Sequence, residues 1–229
     1  MKRIKKTKII ATLGPATSSV ESIESLIKEG VDVLRINFSH STHKEAENVI
    51  KEIRKINDSL STNTAILADL QGPKLRIGEV SENTELKDGD NIIIKTGKEF
   101  KGDSKTLYLN YNNLAKDIKK GEKILIDDGK IILKVIDIDK KNQITAEVIQ
   151  GGILSSNKGF NLPNTNISQP ALTEKDIEDA IFSAKQNVDW IALSFVRHGS
   201  DIESLIKLLD KNTNHRIPVI AKIEKPEGV

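Results

Sequence analysis

At both ends of this chain, short apolar runs alternate with segments patterned at helical spacing, and nothing else limits the fold as strongly. Toward the N-terminus "KIIATLG" (8–14) reads as a strand, "SSVESIESLIKEG" (18–30) as a helix closed by Gly30, and "VDVLRINFS" (31–39) as a second strand. "THKEAENVIKEIRKIND" (42–58) reads as a helix and "AILADLQG" (65–72) as a third strand. The alternation resumes with helices over 173–186 and 200–212 and strands over 188–196 and 217–224. Continuously apolar strands separated by helices predict a parallel sheet covered on both faces. Ser18 with Glu21, Thr42 with Glu45 and Ser200 with Glu203 have the spacing of capping boxes.

The middle of the chain follows another rule. Residues 73–166 are short β-rich runs punctuated by "KDGD", "KKGE", "DDGK" and "DKKNQ", which supply the positive-φ positions of tight antiparallel turns. The pattern predicts a small all-β domain over 73–166, inserted between a first α/β part (1–72) and its continuation (167–229). "NKGFNLPNTNIS" (157–168) is the expected return linker.

Composition excludes several classes of function. The net charge is +2 with both signs interspersed, so a dedicated nucleic-acid binder is not expected. No apolar run approaches the ~20 residues of a membrane span. The basic opening "MKRIKKTKII" lacks the apolar core of a signal peptide, and there is no cysteine, so cytoplasmic residence is the expectation. Aromatics make up 3% of the residues, which leaves Ile, Leu, Val and Ala to build the core and makes Trp190 a core candidate.

Where polar residues interrupt the strands, they do so with period two. Arg35, Asn37 and Ser39 share one face of their strand, Lys222 and Glu224 share a face of theirs, and Asp69 ends the third. A single Lys-x-Glu is weak evidence, since a structural ion pair or an edge strand explains most instances. Three polar-ended strands point instead to the C-terminal rim of a parallel α/β barrel, where active sites are assembled from different strand ends. An Arg for phosphate, oxygen ligands for cations, a carboxylate for a divalent metal and a Lys for developing negative charge suit phosphoryl transfer. His40 and His43, three apart beside a helix start, suit capping or phosphate contact better than zinc, because no further ligand cluster is in view. His198 and His215 read as solvated loop residues.

Six motifs in order, "TKIIATLGPATSS", "LRINFSHSTH", "ILADLQGPKLRIGEV", "NKGFNLPN" with "LTEKDIEDAI", "DWIALSFVR" and "VIAKIEKPEGV", resemble the N-terminal half of the pyruvate kinase family. The resemblance implies a TIM-type (β/α)8 barrel, here truncated after about five strands, with a β-rich lid inserted after the third. It implies transfer of the phosphoryl group from phosphoenolpyruvate to ADP with magnesium, giving pyruvate and ATP, in a full-length form that is a homo-oligomer. Under it Arg35 binds the transferring phosphoryl group and Lys222 is the catalytic lysine. Glu224 is one of two magnesium carboxylates. Asn37, Ser39 and Asp69 form a monovalent-cation cluster. Thr12, Asn37, His40, Arg76 and Lys158 contact the nucleotide.

Two departures from the family pattern matter. Potassium-dependent members have Thr-Lys after the strand-three Asp and a Glu two positions beyond the next Gly. Here Leu70, Gln71 and Lys74 stand in those places, with Ile77 after Arg76, which resembles the potassium-independent branch. A fixed ammonium at Lys74 would repel a second cation, so no monovalent-cation requirement is expected. The sequence also ends at the fifth expected strand. That predicts a fragment inactive alone, since an unclosed barrel leaves unpaired edges. The alternative is a non-catalytic nucleotide- or phosphate-binding remnant.

Overall fold

The computed structural model describes residues 6–139, 143–224 and Gly228. In chain order its elements begin with β1 (Ile10–Thr12), α1 (Val20–Lys28), β2 (Val33–Asn37), α2 (His43–Leu60) and β3 (Ala65–Asp69). A β-rich run follows: β4 (Glu85–Leu86), β5 (Asn91–Lys95), β6 (Thr106–Tyr108), α3 (Leu114–Asp117), β7 (Lys123–Ile126), β8 (Ile131–Ile138), β9 (Gln143–Gln150), β10 (Gly152–Ile153) and β11 (Phe160–Asn161). The last elements are α4 (Glu174–Lys185), β12 (Trp190–Leu193), α5 (Gly199–Asp210) and β13 (Val219–Ala221). They fall into two compact units, Met1–Pro73 with Pro170–Val229, and Lys74–Gln169.

In the first unit, five parallel strands form a sheet in the order β1-β2-β3-β12-β13. Leu34, Ile36, Ile66, Ala68, Ile191 and Leu193 share a buried cluster with Ile23 of α1, Ile53 of α2, Ala180 of α4 and Leu205 of α5. Strand side chains alternate, so the helices cover one face and Arg35, Leu67, Asp69 and Trp190 belong to the other. Among the described residues, helix cover on both faces, expected from the apolar strands, is therefore not found. Trp190, expected in the core, opens β12 on that second face and is 39% exposed.

The helix starts show why these segments fold where they do. At α2 the Thr42 hydroxyl accepts from the Glu45 amide, and Glu45 accepts from the Thr42 amide, as its spacing predicts. The other two expected caps shift. Ser19, not Ser18, caps α1, and the Asp201 carboxylate accepts from the His198 amide before α5, two residues ahead of the Ser200–Glu203 pair. His198 is thus a helix-flanking residue. A further box at α4, Thr173 with Asp176, was not anticipated.

The second unit has a six-stranded sheet, β11-β7-β8-β9-β5-β6, and a separate β4–β10 pair. All pairings are antiparallel except β5 with β6. Alternate residues such as Leu133, Val135, Ile144, Ala146 and Val148 enter its own apolar core. The β7–β8 turn is tight because Asp127, Asp128 and Gly129 all take positive φ.

Candidate functional site

Register gathers the polar residues of the first unit toward one end of the sheet. Thr12 is opposite Arg35, and Asn37 is opposite Asp69, which is opposite Ala192. Leu193 is opposite Ala221, which sets Ser194 and Lys222 just past the ends of β12 and β13. All five strands run parallel, so these positions share the C-terminal end of the sheet.

Asp69 is the hub of this end. Its side chain is 3% exposed, and both oxygens lie near the Lys222 ammonium, at 3.0 and 3.2 Å. Arg35 donates from Nε to Oδ2 at 2.7 Å, Nη2 pairs with the same oxygen, and Nη1 donates to the Thr12 hydroxyl at 2.9 Å. Lys222 also donates to Ser194 Oγ at 2.8 Å, and that hydroxyl donates to the Leu70 carbonyl at 2.7 Å. A carboxylate buried this deeply needs such compensation, since desolvating it alone costs several kcal/mol. Arg35 and Lys222 thus share one buried carboxylate and stay 27% and 29% exposed, which leaves both within reach of a further anion.

Glu224 completes the row. Its Oε2 accepts from the Phe195 amide at 2.9 Å, and Oε1 lies 3.7 Å from Lys222 Nζ. Phe195 reaches it by adopting φ 57°, a left-handed conformation unusual for an aromatic residue. Gly72, itself at φ +68°, packs so closely that an added Cβ would meet Phe195 Cδ2 at 2.9 Å. Strain of this kind concentrates at functional sites because neighbours must hold it in place.

The other predicted residues divide between the units. Asn37 Oδ1 accepts from the Ser39 amide and the Asn37 carbonyl from the His40 amide, so Asn37, Ser39 and His40 form one turn beside Asp69. In the second unit Arg76 and Lys158 lie on adjoining segments: Arg76 bridges with Gly159, and the Ile77 amide donates to the Lys158 carbonyl. The Arg76 guanidinium donates to the Asn157 carbonyl, and Lys158 pairs with Asp127 at 3.0 Å. Hydrogen bonds from Lys130 first and Lys158 second hold the Asp127 carboxyl below the usual range, and Asp127 raises the Lys130 ammonium in return. Lys74 also belongs to the second unit.

Among the described residues no three His, Cys, Asp or Glu side chains gather to hold a metal ion. Glu224 offers one carboxylate, whereas Asp69 is already matched by two cations. His43 lies far from any zinc-like arrangement: Nε2 sits 2.8 Å from buried Asp179, and the ring stacks on Phe182. Ser194 escaped the sequence reading, although it obeys the same rule as Asp69, a polar residue ending an apolar strand. Asp176 and Asp179, both buried within α4, left no such signal because acids near a helix start usually cap it in solvent.

Parallel α/β topology with charged groups collected at the strand C-termini defines a barrel-type α/β protein with a polar rim. The family profile "pyruvate kinase, barrel domain" matches residues 4–229. Relatives described as pyruvate kinase include those of Corynebacterium glutamicum (44% identical over 98% of this chain and 47% of the relative) and Mycobacterium tuberculosis (39%, over 98% and 47%). That of Staphylococcus aureus is 41% identical over 99% of this chain and 39% of its own length. The chain belongs to the pyruvate kinase family. It spans about half the length, or less, of these curated relatives. No helix among the described residues is long and apolar enough to cross a membrane.

Proposed function

We propose that this chain supplies the phosphoenolpyruvate grip of a pyruvate kinase, the enzyme that passes that phosphoryl group to ADP to give pyruvate and ATP. The supporting observation is that Arg35 and Lys222, far apart in sequence, are held against one buried carboxylate, Asp69. Preorganised cations stabilise charge developing on phosphoryl and enolate oxygens without reorganising at the moment of reaction. Arg35 would orient the phosphoryl group, and Lys222 would neutralise oxygen charge at the transition state. Thr12, Asn37, His40, Arg76 and Lys158 are proposed nucleotide contacts, for which Lys158 must exchange Asp127 for a phosphate.

Magnesium would supply Lewis-acid polarisation when bound, and Glu224 fits one of its carboxylates. Among the described residues no complete metal site gathers, so no step is assigned to the ion. We therefore propose that these residues alone bind phosphoenolpyruvate without turning it over. Monovalent-cation activation is expected to be weak, because Asp69 already accepts from two cations. In the protein carrying this sequence, Lys222→Met should lower kcat about 10²–10³-fold, the typical loss of one preorganised electrostatic donor. Unchanged turnover would refute the proposal. A tenfold rise in activity from sodium to potassium buffer would refute the cation reading.

A further inference from the structure

Beyond the rim residues, the first two turns of α4 bury charge that the proposed reaction does not use. Asp176 is fully buried and Asp179 is 2% exposed. Asp176 Oδ2 serves the helix start, accepting from the Thr173 amide and hydroxyl. Its Oδ1 leaves the helix and accepts from the Gly72 amide at 2.9 Å, three residues past Asp69. Lys175 Nζ donates to Asp179 Oδ2 at 2.5 Å and to the Phe38 carbonyl at 3.0 Å. The other Asp179 oxygen takes His43, whose ring lies flat on Phe182 at 4.3 Å and edge-on to Phe38.

We infer that Lys175, Asp176 and Asp179 are positioning residues: α4 braces the two backbone turns that follow β2 and β3. The Phe38 amide is fixed by the Asp69 carbonyl and its own carbonyl by Lys175, so the turn bearing Asn37, Ser39 and His40 is held from both sides. Gly72 is held where it supports Ser194 and Phe195, the neighbours of Lys222 and Glu224. Apolar side chains of equal volume would serve packing as well as a buried charge cluster does, so the cluster's distinguishing product is geometry. The brace is read from unit-one contacts alone. Only its consequence for ligand binding rests on the proposed function, through the nucleotide contacts Asn37 and His40.

The test compares Lys175→Met, Lys175→Arg and His43→Ala in the full chain, by amide hydrogen exchange and by titration with ADP. Losing a hydrogen bond from a charged donor should speed exchange at Ser39 and His40 about tenfold and weaken ADP binding by a similar factor. Exchange in α1 and α5 should stay within twofold on the same scale, and Lys175→Arg should restore both readouts. His43→Ala removes a half-exposed ring without emptying the core and should give a smaller shift of the same pattern, so the test stands if Lys175→Met folds poorly. Exchange unchanged at the turn, or raised equally across α1 and α5, overturns the brace. Wild-type protein that exchanges as expected but takes no ADP overturns the proposed function and leaves the brace standing.

Discussion

In the first unit, charged side chains enter strands only in their last three positions or just beyond, and there they join one network around Asp69. In the second unit they run along whole strands: Lys123, Lys134 and Glu147 lie opposite one another across β7, β8 and β9. The contrast follows from solvent. A largely antiparallel sheet with one wet face alternates apolar and polar residues at little cost, so a lysine there says nothing about function. A parallel sheet under helices rejects charge except where a network compensates it. The same residue type is therefore informative in one unit and mute in the other.

The sharpest way to break this comparison is to neutralise the hub. Asp69→Asn should destabilise the first unit by about 3 kcal/mol, the low end for a broken buried pair because Arg35 and Lys222 stay 27% and 29% exposed. Urea unfolding monitored by the single Trp190 would read it, and a midpoint shift no larger than that of a surface substitution would deny Asp69 its role. Next in size, Gly72→Ala should cost about 2 kcal/mol, combining a left-handed backbone with the close approach to Phe195. Thr42→Ala, removing one member of the α2 capping box, should cost about 1 kcal/mol in the same assay.

Asp127→Asn in the second unit should leave the melting midpoint unmoved, since its ion pairs are exposed. One further effect in that unit is confined to alkaline pH. Burial first, and then the hydrogen bond with Asp117, raise the Tyr111 phenol above its ordinary value. A group with a raised folded pKa adds stability below its unfolded value, about 10, and loses it as the pH climbs through the folded one. Unfolding scans above that pH should show a loss that Tyr111→Phe removes.

How much of this was legible in sequence depends on the physical rule at work. The strands carrying Arg35, Asp69 and Lys222 were visible because an apolar run with polar residues at period two is hard to produce by chance. Thr42 with Glu45 was visible for the same reason, as two residues at fixed spacing. Trp190 was misplaced because burial at a strand's first residue depends on which face is covered, which no local pattern encodes. The braces from α4 were invisible, because Lys175 and Asp179 look like a surface pair four apart until Phe38 and His43 are placed beside them. Likewise, Asp69 reads as a cation ligand from its motif, while its partners across the sheet emerge only from register.

The central claim is that Arg35 and Lys222 grip one anion together. The most direct measurement is a phosphoenolpyruvate titration followed by side-chain nitrogen NMR of Arg35 Nε and Lys222 Nζ in the 229-residue chain. Both resonances should move along a single saturation curve, and both should stay still in Asp69→Asn. Shifts that saturate at different concentrations, or a shift at only one of the two, would contradict a shared site.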